Sequence, residues 1–463
     1  MRAELAGGHG GAERLGELIP VALRGMAAGV AERGGPVPEG GPAAVAAALL
    51  SEGEALPREG AGAERALEDL SRLLAAGSAD PADPACAAHL HCPPLAVSVA
   101  ADVVASALNP SMDSWDQAPI ASELEREFTA GIARLCYPDA PAPDAVVTTG
   151  GTESNLLGLL LARERHGDVR PVCGANAHHS AGRAAWLLGL PAPVVVPCED
   201  DRIVPAALEE TLASLENAVV VATAGTTNTG AIDPLREIAA VCRETGARLH
   251  VDAAYGGMAL CSKGLRSRLA GLELADSVTF DLHKFGWQPV AAGLFLTREA
   301  ADLGALDVRA EYLNADDDTE AGLPDLLGRS IRTSRRPDAF RMAVTFRALG
   351  LDGLGALVDR CCATASEVAA LVEAQPGLRL WGPPELSTVV FRPELADDDT
   401  VAAIRRALLT SGDAVIGRAR LPEPDGTRRL WLKLTLLNPE ATADDYRALV
   451  ARVAATEQSP VAS

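Results

Sequence analysis

The sequence has few aromatic residues and no long apolar run. Phe, Trp and Tyr make up 3% of the 463 residues while hydrophobic residues as a whole make up 48%, so alanine, leucine and valine must fill most of the core. Because no uninterrupted apolar run of about 18 residues occurs, we expect no transmembrane helix. Residues 1–20 contain acidic side chains and no apolar h-region, so we expect no signal peptide.

The charge balance is strongly negative, and the cysteines show no framework. With 63 acidic against 41 basic residues, the formal net charge is −22, which disfavours non-specific binding to nucleic acid or to anionic membranes. We therefore expect neither as a partner. The nine cysteines are odd in number, form no CxxC pair and include the adjacent Cys361 and Cys362. This usage indicates a reducing compartment, so we expect a cytoplasmic protein.

A chain of 463 residues is long enough for one large domain and one or two smaller ones. Residues 1–85 are rich in Ala, Gly and Pro and contain short helical patterns, which predict an N-terminal helical arm. Residues 86–337 alternate short apolar runs with helical stretches, which predicts a large α/β domain with a mostly parallel sheet. Helical patterns that flank short strands in residues 338–463 predict a small α+β domain.

The periodicity of apolar residues places the individual elements. The expected strands of the large domain are 145–149, 193–196, 219–223, 248–252, 277–280 and 293–297. The expected helices are 63–76, 154–166, 234–245 and a stretch around 183–190, and the small domain has expected strands near 387–392 and 429–436. Residues 313–336 contain the acidic run Asp316–Asp318 followed by Gly and Pro, which indicates a long exposed loop of the kind that often serves as a lid.

Two glycines, Gly150 and Gly151, stand between an apolar strand and a helix in the run VVTTGGTESN of residues 146–155. Glycine lets the backbone approach a phosphate closely, and the free amides and dipole of a helix start attract it. Thr152 and Ser154 add hydroxyl donors. The alternative interpretation is a tight turn with a Ser/Thr helix cap. The segment matches neither a Walker loop nor GxGxxG, and by itself it leaves both interpretations open.

Further polar side chains follow expected strands. His178 and His179 offer an imidazole that can stack on a planar cofactor ring or act as an acid or base, although a lone histidine is more often structural. Thr227 follows the strand 219–223, at the edge where open α/β sheets bind ligands. By contrast, the run HLHC of residues 89–92 has no second ligand group with matching spacing, so we expect no metal site.

The most informative residues are Asp252 and Lys284. Asp252 ends an apolar strand, where a buried carboxylate requires a cationic partner, and Ala253 and Ala254 leave room for a flat ring. Lys284 follows His283 and has apolar neighbours, so its amine is suited to imine formation. Each residue alone is more often a surface charge. Together, an amine and a carboxylate provide the aldehyde anchor and the pyridinium partner that pyridoxal phosphate requires.

Taken in order, these segments resemble the group II pyridoxal-phosphate-dependent amino acid decarboxylases. The resemblance covers roughly residues 86–440 and depends most on the order of Asp252-Ala-Ala-Tyr and His283-Lys284. Within that group the chain is most similar to the 2,4-diaminobutyrate decarboxylases and the lysine decarboxylases of siderophore pathways. The segments that carry this similarity are Ser111–Gln117, His283–Pro289, Tyr312–Asn314 and Thr333–Arg336.

The resemblance implies a fold, a cofactor and a set of site residues. The implied fold class is α/β, the PLP-dependent transferase fold type I, whose large domain has a mostly parallel sheet of seven strands. The resemblance also implies a small α+β C-terminal domain and an N-terminal helical arm. It further implies a homodimer with its sites at the interface. The implied catalytic residues are Lys284, His178 and Asp252. The implied cofactor-binding residues are Gly151, Thr152, His178, Thr227, Asp252, Ala254, His283 and Lys284.

In this scheme Lys284 binds the cofactor covalently, Asp252 pairs with its pyridinium nitrogen and His178 stacks on its ring. The implied substrate-binding residues are Asp113, Lys433 and Pro94. Lys433 aligns with the arginine that binds the substrate α-carboxylate in glutamate decarboxylases. Residues 313–336 lack the loop tyrosine that helps to protonate Cα in aromatic amino acid decarboxylases, and Leu326 falls near that position. Our hypothesis is that His178 or an ordered water delivers this proton, and the absence also leaves open an oxygen-dependent side reaction that gives an aldehyde.

We therefore expect decarboxylation of an L-amino acid to the corresponding amine and carbon dioxide. Asp113 aligns near a substrate-pocket aromatic residue of aromatic decarboxylases. A carboxylate there would pair with a distal ammonium and favour 2,4-diaminobutyrate, ornithine or lysine, but a turn or helix-start acid explains it equally well. The alternatives are an acidic or modified amino acid as the substrate and, in a different class, a non-catalytic scaffold with the same fold.

Overall fold

The computed structural model describes residues 5–308, 310, 313–423 and 425–456. The chain divides into two compact units. One unit contains the described parts of Met1–Pro93 and Ala363–Ser463, and the other is Pro94–Cys362. The division of the chain into domains at residues 85 and 337 stays a prediction.

The strands and helices of the described residues follow in chain order. The strands are β1 Cys86–Ala87, β2 Asp144–Thr148, β3 Arg170–Gly174, β4 Val194–Val196, β5 Cys198–Glu199, β6 Arg202–Ile203, β7 Ala218–Thr223, β8 Arg248–Asp252, β9 Ser277–Asp281, β10 Gly293–Thr297, β11 Leu378–Leu380, β12 Thr388–Pro393, β13 Val415–Pro422 and β14 Arg428–Thr435. The helices are α1 Gly11–Arg33, α2 Gly41–Ser51, α3 Ala63–Gly77, α4 Ala96–Leu108, α5 Pro119–Cys136, α6 Gly151–His166, α7 Ser180–Leu187, α8 Pro205–Leu212, α9 Leu235–Thr245, α10 Asp316–Glu320, α11 Asp338–Ala374, α12 Asp398–Thr410 and α13 Ala443–Thr456.

The large sheet lies in the unit Pro94–Cys362. Among the described residues it has seven strands in the order β2-β10-β9-β8-β7-β3-β4. Strand β10 is antiparallel to both of its neighbours, and the other pairs are parallel. Every residue of β7, β9 and β10 is buried, as expected of strands covered on both faces, which read as continuous apolar runs. The predicted α/β fold with a mostly parallel sheet is confirmed.

The other unit contains a smaller sheet in the order β1-β13-β14-β12-β11, as far as the described residues show. Its strands are antiparallel except for β1 and β13, and α12 and α13 contribute apolar side chains to its core. In the same unit α1 approaches α3 closely, because an added Cβ at Gly29 would lie 2.1 Å from the carbonyl oxygen of Arg72. The predicted C-terminal sheet domain and N-terminal helical region are thus confirmed.

Several predicted element boundaries are wrong by one to three residues. Helix α6 begins at Gly151 instead of Ser154, and α7 covers Ser180–Leu187 instead of the stretch around Arg183–Leu190. The apolar periodicity missed these starts because small and polar residues form the first turn of each helix. None of the helices among the described residues is both long and apolar enough to cross a membrane.

The acidic run had indicated a loop over residues 313–336, but part of this segment is helical. Asp316–Glu320 is the short exposed helix α10. Arg329 is held by an ion pair with Asp144 of 2.6 Å, and Arg332 lies 3.2 Å from Glu153. Leu326 is buried. Tyr312, part of one segment that carried the resemblance, lies outside the described residues.

Candidate active site

Asp252 lies at the carboxyl end of strand β8, near the middle of the large sheet. The residue is 7% exposed. One carboxylate oxygen accepts a hydrogen bond of 2.7 Å from Nδ2 of Asn155, and the other accepts one of 3.1 Å from the backbone N–H of Ala254. These two donors are neutral, so the buried carboxylate has no cationic partner in these hydrogen bonds and can take one from a ligand.

Asn155 and His250 support this carboxylate, although no sequence pattern pointed to a role for either. His250 is two residues before Asp252, so strand alternation turns both side chains to the same face. Its Nε2 lies 2.9 Å from Oδ1 of Asn155, and its Nδ1 lies 2.8 Å from the hydroxyl of Ser277. Burial lowers the pKa of His250 to about 4, and Asp252 opposes this shift only partly. His250 is therefore neutral near neutral pH.

Lys284 follows strand β9, and its amine pairs with Asp281. The distance from Nζ to Oδ2 is 3.0 Å, and the side chains are 18% and 3% exposed. His283 lies 3.5 Å from the same oxygen through Nε2. Burial lowers the pKa of His283, and Asp281 opposes this. The remaining oxygen of Asp281, Oδ1, is buried and has no hydrogen-bond partner among the residues that the structure describes.

The Gly150–Gly151 turn passes directly over these groups. Gly150 has a φ of 151°, and an added Cβ there would lie 2.9 Å from Cε1 of His283. An added Cβ at Gly151 would lie 3.2 Å from Cβ of Ala254 and 3.3 Å from Oδ2 of Asp281. The turn therefore needs glycine for both its conformation and its space. It leads into α6, whose first backbone N–H groups have no partner within the helix.

His178 lies beside this group of side chains, at the start of helix α7. Its Nδ1 is 2.8 Å from the hydroxyl of Ser180, and its ring centroid is 4.0 Å from that of His179. Burial lowers the pKa of His178, Asp252 and Asp281 oppose this, and His179 and Lys284 reinforce it. The structure thus brings His178, Asp252 and Lys284 into one electrostatic environment.

Thr152 and Thr227 are exposed. The turn that contains Thr227 is held by Asp201, which accepts hydrogen bonds from Thr226 and Thr229 of 2.6 and 2.7 Å. This arrangement keeps the turn at the end of β7, where the sequence pattern predicted it.

The predicted substrate-binding residues lie far apart in sequence and belong to different compact units. Asp113 is half-buried and accepts a hydrogen bond of 2.9 Å from Gln117, while Pro94 is exposed. Lys433 belongs to the other compact unit, on β14, and is 7% exposed. Its side chain runs over Gly417 of β13, where an added Cβ would lie 2.8 Å from Cγ of Lys433. Burial lowers the pKa of His89 in the same unit, and the positive charge of Lys433 lowers it further.

The residues of the unit Pro94–Cys362 fit pyridoxal phosphate. Lys284 offers a half-buried primary amine, Asp252 offers a buried carboxylate, and the Gly150–Gly151 turn opens a helix start for a phosphate. Within the described part of the chain, His, Cys, Asp and Glu do not form a group of three or more that could hold a metal ion.

Residues 49–394 match the family model described as the pyridoxal-dependent decarboxylase conserved domain. The chain belongs to this family. It is a pyridoxal-phosphate-dependent amino acid decarboxylase, and the predicted enzyme class and cofactor are confirmed.

Three known proteins are similar over most of the chain. The L-2,4-diaminobutyrate decarboxylase of Rhizobium meliloti (strain 1021) is 40% identical over 86% of this chain and 82% of its own length. The L-2,4-diaminobutyrate decarboxylase of Acinetobacter baumannii is 34% identical over 86% of this chain and 84% of its own. The glutamate decarboxylase domain of diaminobutyrate-pyruvate transaminase and L-2,4-diaminobutyrate decarboxylase from Vibrio parahaemolyticus is 29% identical. Its crystal structure superposes with a TM-score of 0.85 over 98% of this chain and 97% of that one. The predicted resemblance is therefore confirmed.

Proposed function

We propose that this enzyme decarboxylates a diamino acid, with L-2,4-diaminobutyrate as its main substrate, and releases the corresponding diamine and carbon dioxide. The observation that carries the proposal is the identity of 40% and 34% to two proteins named for that activity, each over 86% of this chain. Ornithine and lysine, which also bear a distal amine, are the other diamino acids to be tested.

Pyridoxal phosphate, when bound, supplies an aldehyde that captures the substrate amine and a conjugated ring that draws electrons from the bonds at Cα. In the proposed site Lys284 provides the amine that holds the cofactor, and Asp252 keeps a proton at the ring nitrogen. Gly151, Thr152 and His283 bind the phosphate. His178, Thr227 and Ala254 surround the ring. The buried position of Asp252 supports its role, because a cationic ring nitrogen supplies the partner that the buried carboxylate requires.

The substrate has a carboxylate at one end and an ammonium at the other, so it requires two charges of opposite sign. We assign Lys433 to the α-carboxylate and Asp113 to the distal ammonium, with Pro94 as an apolar wall. Gln117 donates to one oxygen of Asp113 and so orients its carboxylate. As part of this proposal, the enzyme is a cytoplasmic homodimer whose partner chain completes each site.

The direct test measures carbon dioxide release by the cofactor-loaded protein with a panel of L-amino acids. The panel contains 2,4-diaminobutyrate, ornithine, lysine, glutamate, aspartate and an aromatic amino acid. We expect release from the diamino acids and its loss in Lys284→Ala. Lys263→Ala is the matched control, because Lys263 is an exposed surface lysine paired with Asp352.

The pattern of substrates distinguishes the candidates. Release from glutamate or aspartate alone would replace the diamino acid proposal with an acidic substrate. Asp113→Asn is expected to raise KM for the diamino acids by about fivefold, the cost of losing a partly exposed ion pair of about 1 kcal/mol. An unchanged KM and substrate order would remove Asp113 from the site.

A further inference from the structure

Asn155 hydrogen-bonds to four polar side chains, those of Asp252, Ser180, His250 and Thr279, and the directions of these bonds can be assigned. A carboxylate only accepts hydrogen bonds, so the atom 2.7 Å from Asp252 must be the amide nitrogen. Its second N–H points to the hydroxyl oxygen of Ser180 at 2.8 Å. The amide oxygen accepts from the hydroxyl of Thr279 at 2.8 Å.

This orientation also determines the proton of His250. Burial lowers the pKa of His250 to about 4, so its ring carries one proton at neutral pH. Nε2 faces the amide oxygen of Asn155 at 2.9 Å, which accepts only, so that proton lies on Nε2. Nδ1 then accepts from the hydroxyl of Ser277. Asn155 has a single orientation as a result.

The assignment extends through Ser180 to His178. Because the hydroxyl oxygen of Ser180 already accepts from Asn155, its own proton is available for Nδ1 of His178 at 2.8 Å. The backbone N–H of Ser180 also points at that nitrogen, at 3.4 Å. Two donors directed at one ring nitrogen leave no room for a proton there.

We propose that Asn155 is a positioning residue that joins Asp252 and His178 into one hydrogen-bonded unit, and that Ser180 holds His178 as the neutral tautomer with its proton on Nε2. This proposal rests on the proposed function of the site. His178 then presents an uncharged imidazole beside Asp252. If His178 became an imidazolium, its Nδ1 would carry a proton. That N–H would then face the hydroxyl and the backbone N–H of Ser180, which are donors themselves.

A neutral His178 has a consequence for the protonation of Cα. A neutral imidazole is a very weak acid, so His178 in this state contacts the cofactor ring and does not protonate Cα. Burial is the main cause of the lowered pKa of His178. Of the charged groups that face it, Asp252 and Asp281 favour the imidazolium, and Lys284 and His179 disfavour it. The proton at Cα must then come from a stronger acid than the neutral His178 ring.

The test is histidine nitrogen NMR on the full-length, cofactor-loaded protein, with His178 assigned by its loss in His178→Gln. In the wild type we expect the neutral Nε2–H tautomer across neutral pH. Ser180→Ala removes the main donor to Nδ1, so we expect a mixture of tautomers and a pKa of His178 higher by about one unit. Ser180→Cys, which keeps a weak donor and similar volume, should fall between the two.

Ser262→Ala is the matched control, since Ser262 is also a buried serine with a hydrogen-bonded hydroxyl, but its partner is Asp359. It should leave the His178 signals unchanged. A wild-type His178 protonated on Nδ1 would overturn the proposal. It would also be overturned if His178 had the wild-type tautomer and pKa in both Ser180→Ala and Ser180→Cys. The NMR signals do not depend on which amino acid is decarboxylated, so failure here is distinguishable from failure of the proposed function.

Discussion

At the scale of single residues, Asp281 combines a short ion pair with an unsatisfied oxygen. Oδ2 holds the amine of Lys284 at 3.0 Å, while Oδ1 is buried without a hydrogen-bond partner among the described residues. A buried acceptor without a donor is unfavourable. The same carboxylate lies against the Gly151 position, where we place the phosphate of the cofactor. Asp281 therefore acts on the lysine and on the phosphate at once.

Asp281→Asn should strengthen cofactor binding. The variant removes a negative charge next to a phosphate and also releases the Lys284 amine from its ion pair, and both changes favour capture of the aldehyde. We expect about a tenfold lower Kd for pyridoxal phosphate, measured by absorbance titration of protein freed of cofactor. Asp359→Asn, whose carboxylate bonds to Ser262, is the control. A higher Kd in Asp281→Asn would contradict this prediction and would mean that the carboxylate helps to hold the cofactor.

Sequence patterns reached some of these residues and missed others for a physical reason. Asp252 ends strand β8 and Lys284 follows strand β9, each in a recognisable local run, so their chemistry is visible in the sequence. Asn155 acts through hydrogen bonds to Asp252 and His250, which are 97 and 95 positions away. No local periodicity records such contacts. The signal available was a histidine two places before Asp252 on the same strand face.

At the scale of elements, helix α6 carries the Gly150–Gly151 turn at its start and packs on the sheet through Gly158. An added Cβ at Gly158 would lie 2.6 Å from Nδ1 of His250 and 2.8 Å from Cε1. The absence of a side chain at this position therefore lets the His250 ring reach Asn155. The position of the helix and the hydrogen bonds around Asp252 depend on each other.

Replacing glycine by alanine should have opposite effects in two helices. Gly158→Ala should destabilise the protein by about 1–3 kcal/mol, because the new methyl overlaps a buried ring. Gly131→Ala in α5 should stabilise it by about 0.5–1 kcal/mol, because nothing lies within 4 Å of the added Cβ and alanine favours a helix. Urea unfolding of both variants checks the signs. A stabilising Gly158→Ala would mean that α6 can move away from the sheet.

At the scale of the whole molecule, burial of neutral histidines couples stability to pH. In an unfolded chain His250 takes up its second ring proton as the pH falls through its ordinary pKa of 6.5. In the folded protein burial lowers this pKa to about 4. The unfolded state therefore binds more protons across this window. The stability that His250 contributes is complete above its pKa in the unfolded chain. It is lost as the pH falls towards its pKa in the folded protein.

Between about pH 7 and about pH 4, we expect His250 to reduce the free energy of unfolding by roughly 3 kcal/mol. His250→Gln removes the titration while it retains a donor for Asn155. Its free energy of unfolding should be lower at neutral pH but should fall less steeply with acid than that of the wild type. Urea midpoints measured across the window test this. Parallel curves would contradict a neutral buried His250.

The large-scale organisation was more predictable than the helix starts or the acidic segment. Continuous apolar runs such as β7 indicated a sheet covered on both faces, since burial of that kind leaves a strong pattern. Asp316–Glu320 was expected in a loop but is helical, because three consecutive acids suit a first helical turn. One compact unit joins the described parts of Met1–Pro93 and Ala363–Ser463, which are far apart in sequence, and no local pattern records such an association.

The packing of Lys433 against Gly417 constrains how this enzyme can change during evolution. Any side chain at residue 417 would force the side chain of Lys433 to move, so selection would remove a mutation there while the lysine side chain is needed in its present position. On our proposal that Lys433 binds the α-carboxylate, a descendant whose substrate lacks that group would no longer be constrained at either position. We therefore expect the two residues to be inherited as a pair, and the order of substitution to run from Lys433 to Gly417.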